Sequence, residues 1–133
     1  MPMFKLVRAR PRDAKRVAHL LSNVSDEKPV KDVKRLIRER RVLVLKSNKK
    51  IKGAVSFTIL GVLGFFAFMW VNKIAIDPEF RGQGMGTTLM ILLKRYTLSM
   101  GVAGFMLYSL ERAKNFYAKC SLSGAWRIFW WMN

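Results

Sequence analysis

The chain reads as an α/β (α+β) fold in the order β-α-α-β-β-β-α-β-α-β, with about four helices flanking a sheet. Three observations predict it. Ile51, Gly53, Val55, Phe57 and Ile59 alternate with Lys52, Ala54, Ser56 and Thr58, which is the period of a strand. Ala14, Val17, Ala18 and Leu21 fall on one face at helical spacing. The third is a continuous stretch. Ile74-Ala-Ile-Asp77-Pro78-Glu79-Phe80-Arg81-Gly82-Gln83-Gly84-Met85-Gly86, followed by Thr87 to Lys94, reads as a buried strand, a tight glycine loop and an apolar helix.

Taken in order, Phe4 to Ala9 alternates weakly as a first strand. Pro11-Arg-Asp13 starts the first helix, and His19 lies off its apolar face, as a solvated histidine does. Ser22 to Lys28 is a polar connection carrying Asp26-Glu27. Pro29 begins a second helix with Val30, Val33, Leu36 and Ile37 inward. Lys31, Lys34, Arg35, Arg38, Arg40 and Arg41 cover the rest of it, either as a solvated face or as a contact surface for a polyanion. Val42 to Leu45 is the second strand and Ser47 to Lys50 the turn into the period-two third. Gly61 and Gly64 interrupt the apolar run, and a fourth strand continues to Ile76, apolar on both faces like a central strand. Leu89, Met90, Ile91, Leu92, Leu93 and Tyr96 make the next helix apolar nearly all round, so it is expected to be mostly buried. Val102 to Tyr108 is a fifth strand, Glu111 to Lys119 a last helix, and Ala125 to Trp131 a single final strand.

The 133 residues suit one domain over 1–133, large enough for a real core. Lys and Arg number 25 against 8 Asp and Glu, a net charge of +17. Such a surface suits CoA, nucleic acid, an acidic protein assembly or anionic headgroups, without choosing among them. Cys120 is the single cysteine, which excludes an internal disulfide and suits the reducing cytoplasm. One Cys and one His exclude a zinc-type cluster, and no metal site is expected. The longest apolar run, Ile59 to Val71, is well short of the roughly 20 residues that a membrane helix needs. Met1-Pro2-Met3-Phe4 is followed by a charged segment, so no signal peptide is expected.

The glycine loop carries the chemistry. Glycine has no Cβ and tolerates positive φ, so the backbone can approach a ligand closely. The helix that follows presents free N–H groups and a partial positive charge. Together they suit an anion, most often phosphate. A Walker loop is excluded because no Gly-Lys occurs, and the dinucleotide fingerprint fails because Thr87 stands where its third glycine belongs.

Arg81-Gly-Gln-Gly84-Met-Gly86 fits the pattern Gln/Arg-x-x-Gly-x-Gly/Ala and resembles the pyrophosphate loop of the GNAT superfamily of acyl-CoA N-acyltransferases. A second motif, Ala113-Lys-Asn-Phe116-Tyr117-Ala-Lys119-Cys120, is similar to that family's Asn-x-x-Ala-x-x-Phe-Tyr-x-Lys-x-Gly-Phe, matching at Ala113, Phe116, Tyr117 and Lys119. Leu110 stands at the family's asparagine, and Ser121-Leu122 at its Gly-Phe. The element order is the family's as well. The resemblance implies a central mixed, mostly antiparallel sheet whose fourth and fifth strands splay to admit the pantetheine arm of acetyl-CoA. That arm would pair with backbone of Lys73, Ile74, Ala75 and Ile76. The pyrophosphate would sit on N–H groups of Arg81, Gly82, Gln83, Gly84, Met85, Gly86 and Thr87, and Asn115 joins the cofactor-binding residues.

The same resemblance places Tyr117 as the general acid that protonates the leaving CoA thiolate. A phenol of pKa about 10 suits that leaving group. The alternative is that Phe116 and Tyr117 are packing aromatics. The family's strand-four carboxylate, a frequent general base, has no counterpart between Trp70 and Ile76. Glu111 is the remaining candidate, equally suited to favouring the dipole of the last helix. Asp77 and Glu79 flank the loop and serve its turn. Asp26 and Glu27 lie in the connection that borders the family's acceptor site, where they could hold an ammonium group. Trp126, Trp130 and Trp131 could cover a sheet edge, form a dimer interface or pack in the core, so monomer and homodimer both stay open.

The leading functional expectation is an N-acetyltransferase that moves acetyl from acetyl-CoA to a primary amine, on a small molecule or on a protein N-terminus or lysine. The alternative is a catalytically weak or inactive protein of the same fold, working as a basic interaction module on nucleic acid or an acidic protein assembly. A nucleic-acid binder of another fold would leave the glycine loop as coincidence.

Overall fold

A computed structural model describes residues 3–22, 33–62, 66–80, 82, 84–109 and 113–132. The strands are β1 (Lys5–Arg8), β2 (Val42–Ser47), β3 (Lys50–Val62), β4 (Phe66–Ile76), β5 (Gly104–Tyr108), β6 (Ser123–Ala125) and β7 (Ile128–Met132). The helices are α1 (Ala14–Ser22), α2 (Val33–Arg38), α3 (Met85–Met100) and α4 (Lys114–Lys119), with 3-10 turns at Pro11–Asp13 and Pro78–Phe80. The strands form one seven-stranded sheet in the order β1-β2-β3-β4-β5-β7-β6. Neighbours β1–β2, β2–β3, β5–β7 and β6–β7 run antiparallel, and β4–β5 runs parallel. The mixed sheet and flanking helices agree with the sequence reading.

Two elements differ from that reading. The final strand is a hairpin: β6 turns through Trp126-Arg127 into β7, with Ala125 opposite Ile128. Its turn contains no glycine, so no local signal divides the run. Helix α3 is two-sided rather than buried all round. Leu89, Met90 and Leu93 are buried, whereas Ile91 and Leu98 are exposed. The unbroken apolar pattern hid the face that stays in water.

The chain packs as two compact units, Met1–Ser56 with Lys73–Leu89, and Phe57–Asn72 with Met90–Asn133. In the first, α1 and α2 cover one face of the sheet. Val17, Leu20 and Leu21 of α1 and Val33, Leu36 and Ile37 of α2 pack with Val42, Val44, Ala54 and Ala75. Each of these valine, leucine and isoleucine side chains, when fully buried, contributes about 1.5–3 kcal/mol. Asp13 accepts a hydrogen bond from the Arg10 N–H at 2.8 Å, which fixes the entry to α1. His19 is exposed, as its position off the apolar face requires.

In the second unit the register sorts side chains by face. Met69, Phe105 and Trp131 lie abreast, as do Val71, Leu107 and Phe129. Phe105 and Trp131 rings meet at 6.0 Å. From α3, the Lys94 ammonium lies 5.8 Å from the Trp131 ring, and its Nζ donates to the Cys120 carbonyl at 2.8 Å, tying α3 to the end of α4. Trp70, Met106 and Trp130 share the other face and are half-buried. Gly104 is required by close approach, because a Cβ there would overlap the Trp131 carbonyl oxygen.

Candidate active site

In the first unit, several hydrogen bonds meet at Asp77, at the exit of β4. The Asp77 N–H donates to the Lys52 carbonyl at 2.9 Å, the last link of strand-like backbone. Pro78 then starts a 3-10 turn, where its missing N–H costs nothing. The Phe80 N–H donates to the Asp77 carbonyl and the Glu79 N–H to Asp77 Oδ1, both at 2.9 Å. The second Asp77 oxygen accepts from Arg16 Nη2, which also donates to the Ile51 carbonyl at 3.0 Å. The Arg16 hydrogen bond, and then the Glu79 N–H, hold the Asp77 carboxyl below the usual carboxylate range, against the opposing effect of burial. The Lys52 ammonium sits 4.4 Å from the Phe80 ring. Beside this turn is a cleft of about 370 Å³ lined by Arg16, Lys49, Lys50, Ile51, Asp77, Glu79 and Phe80.

The loop leaves from that anchored exit. Gly82 and Gly84 have φ of 79° and 76°, left-handed values that L side chains adopt rarely. A Cβ at either would meet nothing within 4 Å, so the backbone there faces open space. The Thr88 N–H donates to the Gly84 carbonyl at 3.0 Å, the first bond of α3. The N–H groups of Met85, Gly86 and Thr87 are thereby left in the first turn, where a helix has no internal partner for them. Strand β4 supplies the other half of the arrangement. Its ladder to β5 runs Met69↔Phe105, Trp70↔Met106, Val71↔Leu107, while β4 itself continues to Ile76.

In the second unit, Tyr117 lies on α4 and is half-buried. Its ring stands 5.2 Å from Phe116, edge-on, and 5.7 Å from Phe129 of β7. Asn115 is exposed on the same helix. Burial pushes the Cys120 thiol up, with the Lys94 charge working against it, so this cysteine stays protonated at neutral pH.

Lys73, Ile74, Ala75, Ile76, Gly82, Gly84, Met85, Gly86 and Thr87 all fall in the first unit, and Asn115 and Tyr117 in the second. Asp26, Glu27, Arg81, Gln83 and Glu111 lie outside the described residues. Among the described residues of the second unit there is no carboxylate, while Lys94, Arg95, Lys114, Lys119 and Arg127 are all present. Arg16 and Lys52 were not anticipated. Arg16 is 61 positions from Asp77, and nothing local in the sequence joins them. No cluster that could hold a metal ion occurs among the described residues, and no helix among them is long and apolar enough to cross a membrane.

A sheet whose fourth strand outruns its parallel partner, followed by an open glycine loop on a helix N-terminus, defines a class. The model of the acetyltransferase (GNAT) family matches residues 9–121, and the chain belongs to that family. Members of this family use acetyl-CoA as co-substrate. A possible acetyltransferase from Clostridium difficile 630 is similar in structure, with TM-score 0.80, 19% identity and 92% of each chain covered. An acetyltransferase from Trypanosoma brucei has TM-score 0.74 at 23% identity, covering 94% of this chain and 96% of its own. Glucosamine-6-phosphate N-acetyltransferase from Arabidopsis thaliana has TM-score 0.69 at 24% identity, covering 93% and 94%. At these identities the likeness concerns the fold. No curated protein sequence matches the chain.

Proposed function

We propose that the chain, acting as one domain over 1–133, transfers acetyl from acetyl-CoA to a primary amine by direct attack on the thioester. The acceptor is a small molecule or a protein N-terminus or lysine. The observation that carries this reading is the pair of left-handed, unobstructed glycines, Gly82 and Gly84, feeding the N-terminus of α3. N–H groups of Gly82, Gly84, Met85, Gly86 and Thr87, with Arg81 and Gln83, hold the pyrophosphate. Backbone of Lys73 to Ile76 pairs with the pantetheine arm, and its N–H groups steady the charge that develops on the thioester oxygen. Asn115 supports the cofactor. Tyr117 delivers the proton to the departing thiolate, a role that rests on its match to the family motif. Glu111 is the candidate base, and Asp26 and Glu27 are candidates for holding the acceptor's ammonium group. Lys49 and Lys50 line the cleft beside the Pro78–Phe80 turn, together with Glu79 and the Arg16–Asp77 pair.

Calorimetric titration with acetyl-CoA, at salt high enough to screen non-specific attraction, tests the loop. Wild type should bind one to one and saturably. Gly84→Glu puts both a side chain at positive φ and a negative charge where the pyrophosphate sits, so binding should be lost. Gly84→Ala isolates the backbone cost, about 1–2 kcal/mol in a left-handed conformation, and should retain measurable affinity. Equal affinity in Gly84→Glu would show that the loop is not the site.

A second reading keeps the fold and drops the turnover: a basic interaction module for nucleic acid or an acidic protein assembly. The net charge of +17, the lack of a carboxylate between Trp70 and Ile76 and the leucine at position 110 in place of the motif asparagine favour it. Absence of acetyl-CoA binding by wild type would select it.

A further inference from the structure

Arginine and lysine are not spread alike over this chain. Residues 8–12 read Arg8-Ala-Arg10-Pro-Arg12, and residues 35–41 read Arg35-Leu-Ile-Arg38-Glu-Arg40-Arg41. The two stretches hold seven of the chain's twelve arginines and none of its lysines, and Glu39 is the single acid in either. The fold joins them in the first unit. The Ala9 N–H donates to the Val42 carbonyl at 3.0 Å, so the end of β1 lies beside the start of β2. Helix α2 also packs against the Pro11–Asp13 turn. Stretches far apart in the sequence thus meet at one corner. Val42 and Ser47 are five strand steps apart, about 17 Å. It is the Ser47 end of β2 that borders Lys50, and Lys52 just beyond bonds to the exit of β4. The hydrogen bond at the corner is therefore at the opposite end of β2 from the exit that leads into the glycine loop.

Local structure accounts for some of these arginines. Glu39 lies 3.4 Å from Arg41 and 3.9 Å from Arg35. Arg35 and Arg38 also suit the last turn of α2, where the helix dipole favours a cation. Arg40 has no such account. Its N–H donates to the Ile37 carbonyl at 3.0 Å, and the Arg41 N–H donates to the Leu36 carbonyl at 2.9 Å. That pair of bonds is the Schellman closure of a helix, and it puts Arg40 at the left-handed position that glycine usually takes. Its φ is 60°. A side chain is disfavoured there, and Arg40 is exposed, so burial does not offset the cost. Strain kept at an exposed position points to use. Arg10, Arg12 and Arg38 are exposed as well. The guanidinium offers five N–H donors in a planar fork that matches two phosphate oxygens, which an ammonium does not. An arginine bonded to one partner keeps donors for another.

The exposed residues of both stretches are arginines, Pro11 and Glu39. A protein partner is held through an apolar, aromatic-rich centre, and a lipid surface through inserted apolar side chains. Single strands are held by stacking on aromatic rings. The two stretches supply none of these. Interfaces with duplex nucleic acid are polar and strongly positive. We propose that this corner, through Arg10, Arg12, Arg38 and Arg40, is a contact surface for the phosphate backbone of duplex nucleic acid. It stands whether or not the chain transfers acetyl. It also localises a contact that the net charge of +17 alone would spread over the whole surface. Contacts to phosphate position a duplex without reading its sequence, so the surface binds duplexes of different sequence alike.

The test uses the full chain and a short DNA duplex, with binding followed by anisotropy across a range of salt. One variant combines Arg10→Gln, Arg12→Gln, Arg38→Gln and Arg40→Gln. A control removes as many charges elsewhere, through Lys49→Gln, Lys50→Gln, Arg95→Gln and Lys119→Gln. Each duplex phosphate neutralised contributes about −0.9 to the log-log salt slope, so the corner variant should be shallower by about 3–4 and the control by less than about 1. Affinity should fall at least about tenfold in the corner variant and less than about threefold in the control. Replacing the same four arginines by lysine keeps every charge and loses the fork, so the slope should hold while affinity falls severalfold. Arg40→Gly alone tests the surface without risk to the fold. It should raise the melting temperature, because glycine suits the left-handed position, and still weaken duplex binding. Equal losses in the corner and control variants would mean that net charge alone draws the duplex, and would overturn the proposal. A lower melting temperature in Arg40→Gly would make that arginine structural and overturn it too. So would loss of acetyl-CoA binding in the corner variant, which would make the corner part of the cofactor site. Corner-dependent binding of poly-glutamate or of phosphatidylserine vesicles, without corner-dependent binding of duplex, would overturn it in favour of an acidic protein or a membrane.

Discussion

Tyr117 shows how far a single residue can be read. Its motif is visible in the sequence, and so is its competing explanation as a packing aromatic. Both fit its half-buried place against Phe116 and Phe129. Removing only the hydroxyl separates them, because Tyr117→Phe keeps both ring contacts. General acid catalysis contributes about 10²–10⁴-fold, so kcat should fall about a hundredfold with acetyl-CoA affinity unchanged in steady-state kinetics and titration. An unaltered kcat would leave Tyr117 as packing. Trp126 is the opposite case. Nothing in Ala125 to Trp131 distinguishes it from Trp130 or Trp131 as a sequence, and only its φ and exposure set it apart.

At the scale of elements, the clasp between α1 and the exit of β4 controls where the glycine loop begins. Arg16 reaches Asp77 and the Ile51 carbonyl together, so one side chain ties α1 to β3 and to the residue that follows β4. The Asp77 carboxyl is lowered in the folded state, chiefly by Arg16. A carboxyl that titrates lower when folded contributes stability above its unfolded pKa, about 3.9, and loses it as pH falls through the folded value. Asp77→Asn keeps the shape and removes the charge. Because 37% of the Arg16 side chain is exposed, the pair is partly screened, and the variant should lose about 1–2 kcal/mol at neutral pH. Urea unfolding from pH 7 downward should show that difference shrinking below about pH 4. A difference that stays constant with pH would mean that the charge is not what matters. The loop and strand were legible in the sequence because glycine spacing and apolar runs are local. The clasp was not, because it joins positions 16 and 77 through the fold.

For the whole molecule, net charge sets behaviour that no single site does. At +17, binding to nucleic acid is expected whatever the function. Its signature is a log-log salt slope of about −0.9 per duplex phosphate neutralised. Gel-shift or anisotropy titrations across salt should show steep weakening for both wild type and Gly84→Glu, whereas acetyl-CoA binding should be lost in the variant only. Loss of both together in Gly84→Glu would mean that one surface serves both ligands, and would support the interaction-module reading.

What the sequence by itself determined is the order of elements as far as the last helix, the phosphate-loop motif, the family resemblance and the basic charge. Each depends on residue type and short spacing, which survive without a structure. Only the tertiary structure decided the rest: which face of α3 stays in water, that the last strand is a hairpin, that β4 outruns its ladder to β5, that Arg16 anchors Asp77, and that Trp126 combines a positive φ with exposure. These depend on register, on the sign of a backbone dihedral and on contacts between residues far apart in the chain. A linear pattern of apolar and charged residues carries none of them.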